Sequence, residues 1–437
     1  MPAQLSRRAR ERRPVFAGKD QAAAPAVPGD RRQAPPPPSR RSLRGLDWFV
    51  FFVADVQTGF GPFVSVFLTA QHWTQVDIGL VLSAGGFVSL IGQMPGGALV
   101  DAARSERFVA ALAIAAICVS ALAYAALPVF SVVLSASILH ALASCVLGPA
   151  IAAISLGLVG HAAIGARLGR NARFASIGNG LAAAAMGACG YLLSARAVFV
   201  VTVLLLIPAL WSLRLIADRE IDPERAHGSP PPERRKRRIR PGALMRNRPL
   251  LIFAGCLLLF HLANASMLPL MGSVLTMRSA NWATVLIAAC IVVPQIIVAA
   301  LSPWIGLRAQ VWGRRPLLLI GFAALPLRGL LFAVVGNPLL LVVVQLLDGI
   351  TAAVFAVMVP LIVADLTRNT GHFNLGQGIV GTFVGIGASI SATLAGLLSD
   401  HFGSPWAFAG LATIALAAFA AVSLFMPETR PETEEEE

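Results

Sequence analysis

Gly97-Ala98-Leu99-Val100-Asp101 closes one long apolar run, and Gly306-Leu307-Arg308-Ala309-Gln310 closes another. In both, a glycine stands four residues before a polar residue. Basic residues follow at once, Arg104 and Arg107 after the first stretch and Gly313-Arg314-Arg315 after the second. The same corner therefore occurs twice in one chain, each time between two apolar runs. An internal repeat of this kind divides a polytopic membrane protein into two related halves.

Working outward from the two corners, an α-helix needs about 20 apolar residues to cross about 30 Å of hydrocarbon. Twelve runs qualify, at 47–69, 77–100, 108–127, 130–157, 172–194, 197–216, 249–272, 281–306, 316–335, 338–364, 376–398 and 405–426. The composition agrees: 56% of the 437 residues are hydrophobic and only 13% are charged, against about 25% charged in a typical soluble domain. The chain reads as an all-α membrane protein. Residues 1–46 form a basic N-terminal segment and 47–216 the first six-helix half. Residues 217–248 form a basic central loop, 249–426 the second half, and 427–437 an acidic tail.

The basic residues fix the orientation. With the N-terminus in the cytoplasm, the short inner loops hold Arg104, Arg107, Arg167, Arg170, Arg173, Arg308, Arg314, Arg315 and Arg368, and the outer loops only Arg196 and Arg278. Basic loops are retained in the cytoplasm, so both termini are placed there. The net charge of +13 does not indicate nucleic-acid binding, because the basic residues flank spans and show no aromatic interleaving. It fits contact with anionic lipids at the cytoplasmic face. Residues 1–46, rich in Arg, Pro and Ala, lack the apolar content for a core and are expected to be disordered. They do not read as a cleavable signal, since the first apolar run is long enough to remain a span. The five cysteines lie inside spans without metal spacing and read as small apolar fillers. No metal and no cofactor is expected, and a monomer is.

The two corners resemble the signature of the major facilitator superfamily, a Gly-x-x-x-Asp-Arg-x-Gly-Arg-Arg type loop after the second and eighth helices. The resemblance covers residues 47–426 and implies twelve transmembrane helices in two pseudo-symmetric six-helix halves. It also implies that Gly97, Asp101, Arg104, Gly306, Gln310, Gly313, Arg314 and Arg315 form a conformational latch, in which the Asp caps or pairs with a neighbouring helix end. The signature is split here: the first copy has Arg104 in place of Gly, and the second has Gln310 in place of Asp. The Gly-Pro motif that many drug exporters of the family carry in the fifth helix is absent from residues 178–190.

Ionisable groups at membrane depth cost several kcal/mol unless they face a cavity or a partner, so each is a site candidate. Asp55 and Thr58 share a face of the first span, and His261 and Asn264 repeat that spacing in the seventh. Arg328 lies nine residues before Asn337 and Asp348 eleven after it, which puts both about 13–16 Å below one surface at 1.5 Å per residue. They are expected to pair, either as a structural ion pair or with Arg328 tuning a cavity-facing Asp348. Gln345 shares the face of Asp348, and His140 occupies the corresponding place in the fourth span. Asp365 and Arg368 read as a pair at a helix end, Gly396 to Asp400 as a helix-end feature, and Gln93, Asn179, Gln295 and Gln377 as interhelical hydrogen-bonding groups.

There is no nucleotide-binding G-x-x-x-x-G-K-[ST] motif and no paired acidic or His-rich catalytic loop. An enzyme is not expected. The expected function is a secondary active transporter of a small-molecule substrate in the inner membrane of a bacterium, driven by protons. An exporter of toxic amphipathic compounds and a transport-inactive sensor or scaffold on the same fold are the alternatives.

Overall fold

A computed structural model describes residues 37–58, 61–229, 241–278 and 283–431. A few side chains within these segments, those of Asp55 and Thr58 among them, lie outside the description. So do residues 1–36, which hold most of the basic arm, together with the Arg-rich part of the central loop and Glu434–Glu437.

The described chain is helical from end to end. The helices are α1 (Arg40–Thr58), α2 (Gly61–Ala70), α3 (Gln75–Ala102), α4 (Glu106–Ala126), α5 (Phe130–Leu192), α6 (Ala195–Leu204), α7 (Leu206–Arg214), α8 (Pro223–Ala226) and α9 (Pro241–Leu244). They continue as α10 (Arg248–Asn264), α11 (Met267–Arg278), α12 (Ala283–Trp312), α13 (Arg315–Val334), α14 (Pro338–Val344), α15 (Leu346–Leu366), α16 (Phe373–Phe402) and α17 (Ser404–Phe425). Ten described helical segments are long and apolar enough to cross a membrane. One of them, α5, is two helices joined at Gly160, whose φ of 68° and ψ of 177° break the helical path. The first expected span corresponds to α1 and α2. The set is consistent with twelve spans.

Local chemistry explains the ends. Asn247, Ser105 and Thr74 accept backbone N–H bonds from Leu250, Phe108 and Asp77 and so cap α10, α4 and α3. Helix caps of this kind satisfy donors that would otherwise be orphaned. Prolines interrupt α3, α5, α12, α13 and α15, which membrane helices tolerate because neighbours re-satisfy the freed backbone groups.

The boundaries depart from the sequence reading in three places. Helix α1 begins at Arg40, so the last residues of the expected disordered arm are ordered helix. Arg167, Arg170 and Arg173 sit on α5, in helix beyond the Gly160 turn, and not in a loop. Arg308 likewise lies on α12, one turn before its end.

The apolar residues form two cores. One is built from Leu46 to Ala226. The other runs from Leu244 to Met426 and takes in Ala152, Leu156, Ile164, Leu168 and Ala172 from α5. Two seams join them, α3 against α16 and α5 against α12. In the first, a Cβ on Gly97 would clash with the carbonyl of Asn374; in the second, a Cβ on Gly306 would clash with the carbonyl of Gly165. These glycines let the backbones touch, the usual route to close packing between membrane helices. Both contacts lie at the end of the bundle that carries the basic corners. Toward the opposite end of α16, a Cβ on Gly396 would meet open space.

Candidate functional site

Three helices meet around Arg328 on α13. Its guanidinium donates to Asp348 of α15 and to Asn264 of α10, and it lies 3.5 Å from the Met267 sulfur. Its plane also faces the Phe332 ring at 5.9 Å. Gln345 donates to the second Asp348 oxygen at 3.3 Å. The two charges are not equally enclosed: the Arg328 side chain is 2% exposed and that of Asp348 28%. A buried cation is held from one side while its carboxylate partner keeps an open flank.

His261 lies one turn before Asn264 on α10, with its ring 5.4 Å from Phe260 and 6.4 Å from Phe355 of α15. His140 lies on α5 with Nε2 3.5 Å from the Ser144 hydroxyl. Asp55 and Thr58 fall on side chains outside the described residues. Among the described candidates, then, Asn264, Arg328, Gln345 and Asp348 come together, His261 flanks them, and His140 stands in the other half.

At the basic end, each half buries an ion pair that ties helices together. In the first half, Asp47 of α1 receives Arg167 at 2.5 Å and Arg170 at 2.6 Å from α5. Arg167 also reaches Asn171, which in turn donates to Ser155. In the second half, Arg314 donates from Nε to Asp365 at 2.9 Å and from a terminal nitrogen to the Ala309 carbonyl at 2.8 Å. Asp365 is thus the partner of Arg314, not of its sequence neighbour Arg368. Pairing two nearly inaccessible charges across helices outweighs the local pairing, in which Arg368 would stay exposed.

The two corners are unequal. Asp101 accepts from the Asn374 backbone N–H at 3.1 Å, the Asn374 amide at 2.8 Å and the Leu375 N–H at 2.8 Å. It caps α16 across the seam. Among the described residues, Gln310 has a buried Nε2 without a hydrogen-bond partner and only a 3.5 Å contact from Arg314 to its oxygen. A carboxylate does reach this second corner, from elsewhere: Glu428 accepts the N–H groups of Arg314 and Arg315 at 2.8 and 3.0 Å, beside the Gly313 turn with φ 89°. These N–H bonds hold the Glu428 carboxyl below its ordinary value despite partial burial. Arg104 is exposed.

The central loop also bridges the seam. His227 Nε2 lies 3.0 Å from Glu106 of α4, while its carbonyl accepts from Phe373 at the start of α16. Burial lowers the affinity of His227 for a proton, but Glu106 and the charge of Asp101 outweigh it and raise the pKa above 6.5.

A cavity of about 410 Å³ lies between the halves, lined by residues a few turns in from the basic end. Its lining is aliphatic apart from Gln93, Asn171 and Gln377. Asn171 is occupied by Arg167 and Ser155, whereas Gln377 Nε2 is buried without a partner among the described residues. The sequence alone reads Gln93 and Gln377 as interhelical hydrogen-bonding groups and gives Asp47 no role. Two amides at depth, one from each half, were the available signal for the first. Asp47 carried none, because it stands where the span begins.

Such a bundle, with paired halves, seams of glycine and charge buried between helices, has the architecture of a polytopic membrane protein. The family model of the Major Facilitator Superfamily matches residues 48–306 and 259–437, and the chain belongs to that family. It is 41% identical over 396 residues to an uncharacterized MFS-type transporter of Mycobacterium tuberculosis, recorded in strains CDC 1551 and H37Rv, covering 89% of this chain and 94% of the relative. Two solved structures share the fold. The Escherichia coli fucose:proton symporter FucP has a TM-score of 0.65 at 17% identity, covering 90% of this chain and 98% of that one. The human organic anion transporter MFSD10 (TETRAN) has 0.64 at 16%, covering 88% and 100%. The protein is a multi-pass membrane transporter, not an enzyme.

Proposed function

We propose that this transporter is a secondary active carrier of a small solute in the inner membrane of a bacterium, with both termini in the cytoplasm. The two halves rock about the cavity between them. In this state the basic end is sealed by the two glycine seams, by Asp101 on the start of α16 and by the His227 bridge. Entry is from the opposite side. The gradient that drives the cycle is one of protons.

The observation that carries the coupling is the unequal enclosure of Arg328 and Asp348. A proton reaching the open flank of Asp348 neutralises the carboxylate and frees Arg328, which keeps its bond to Asn264. The ion pair between α13 and α15 is then lost, and the second half can relax toward its other conformation. The test is uptake by proteoliposomes containing the pure protein, screened over common metabolites with and without an imposed pH gradient. Acceleration by the gradient in the wild type, absent in Asp348→Asn, is expected. Uptake indifferent to the gradient would overturn the coupling.

The aliphatic lining of the cavity favours a second reading, export of amphipathic compounds. A cavity with amides and no charged side chain among its lining residues suits an apolar solute with one or two polar groups. Drug-sensitivity profiling of a deletion strain separates the two. Hypersensitivity to lipophilic compounds supports export, and a growth defect on one nutrient supports import.

A further inference from the structure

Helix α12 has two faces of opposite character near its basic end. Ser302, Ile305, Gly306 and Ala309 are buried, and Gly306 and Ser302 press on Gly165 and Gly169 of α5. On the other face Trp304, Leu307, Arg308, Val311 and Trp312 are all exposed, Leu307 by 60% and Val311 by 62%. At about 100° per residue these positions fall on the side away from the seam. In a membrane-spanning helix an exposed apolar stripe of this kind faces acyl chains.

An arginine on that stripe needs a counter-charge or water. No carboxylate among the described residues lies within ion-pair distance of Arg308. Two indoles hold it instead: its guanidinium lies 5.9 Å from the Trp304 ring and 5.4 Å from the Trp312 ring. The indoles pack edge to face on each other at 5.2 Å. Cation–π contact with both rings restrains the side chain, and its planar fork of N–H donors suits two phosphate oxygens. Tryptophan belongs at the headgroup level of a bilayer. Arg308 precedes the helix end at Trp312 by only four residues, about 6 Å at 1.5 Å per residue, so its fork lies at that level.

We infer that Trp304, Arg308 and Trp312 form a binding site for the phosphate of an anionic phospholipid headgroup, with the acyl chains lying along Leu307 and Val311. The guanidinium supplies the charge and the paired N–H donors. The indoles hold it in place, and its positive charge favours a headgroup of net negative charge over a zwitterionic one. The lipid sits on the outer flank of the α5–α12 seam, the one whose corner has Gln310 in place of a carboxylate.

The protein is reconstituted at fixed lipid-to-protein ratio with phosphatidylglycerol or phosphatidylcholine brominated near the headgroup, which quenches nearby indoles. The Trp304→Phe, Trp312→Phe double variant is run alongside to subtract the other tryptophans. For the wild type, the quenching assigned to these two residues should show about a fivefold preference for phosphatidylglycerol, the worth of roughly 1 kcal/mol for one basic residue at an anionic surface. Arg308→Gln should abolish that preference while leaving the total quenching by phosphatidylcholine unchanged, which also shows that the variant is folded and inserted. Inorganic phosphate added to the buffer should not compete. Equal quenching by the two lipids in the wild type, a preference for phosphatidylcholine, or a phosphatidylglycerol preference that survives Arg308→Gln would each overturn the assignment. So would competition by free phosphate.

Discussion

The two halves bury charge in the same way at the basic end and differently at depth. Near the basic surface each has an arginine–aspartate pair that joins two helices, Asp47 with Arg167 and Arg170 in one and Arg314 with Asp365 in the other. Deeper in, the second half adds Arg328, Asp348 and Asn264. At the corresponding place in the first half stands His140 beside Ser144. What is repeated between halves serves the architecture, because both halves must hold their helices in register. What is not repeated is where a directional task can reside.

The sharpest way to break this comparison is Arg328→Ala. Removing one partner of a buried pair costs about 3–5 kcal/mol, because the other is left uncompensated. Folded yield and thermal unfolding in detergent should therefore fall clearly below wild type. Arg328→Ala with Asp348→Ala should recover most of the loss, since a neutral pair of gaps costs less than one orphaned charge. Equal stability of the single variant and the wild type would show that the pair does not hold the second half together.

A smaller effect separates the two corners. Asp101→Ala removes a cap that three N–H donors share, and about 2 kcal/mol of the sealed state should go with it. Hydrogen exchange at Asn374 and Leu375 should rise by roughly thirtyfold, as 1.4 kcal/mol corresponds to a factor of ten. Gln310→Ala should change exchange on the facing part of α5 by under about 0.5 kcal/mol, because its amide makes little use of its surroundings.

Two pH effects are smaller still. The pKa of His227 is raised by Glu106 and Asp101 in spite of burial. Its bridge is therefore complete below about pH 6.5, the ordinary histidine value, and weakens as the pH climbs through the raised one. Exchange at Gly371 and Phe373 should increase over that interval in the wild type and be flat in His227→Gln. Glu428 runs the other way. Its carboxyl is held low by four backbone N–H groups against the pull of burial, so its contribution is present above about 4.5 and disappears as the pH falls through the lowered value. Glu428→Ala should cost about 1 kcal/mol at neutral pH, the typical worth of a helix cap, read as a small drop in thermal midpoint.

Much of this fold was legible because hydrocarbon thickness imposes a length that apolar runs either meet or do not. The Arg328–Asp348 pair was legible for a related reason, since both residues could be measured by depth from a single turn at Asn337. Partners that depend on packing between distant segments were not. Arg314 is 51 positions from Asp365, and nothing local distinguishes it from Arg368. A break between 157 and 172 is legible where the apolar run ends, but its extent is not: Gly160 alone makes the turn, and the residues after it are helix. Gln93 and Gln377 were visible as polar residues at depth, but whether an amide faces a neighbour or a cavity is decided by helix rotation, which one sequence does not encode.

Glu428 has a consequence for the order of events during synthesis. It lies 114 positions after Arg314, whose N–H it accepts, and α13 to α17 must all be made before it emerges. Until then the first turn of α13 has no carboxylate on its free donors. A ribosome stalled earlier leaves that corner open, so its closure marks the moment at which the second half has been translated through its last membrane helix.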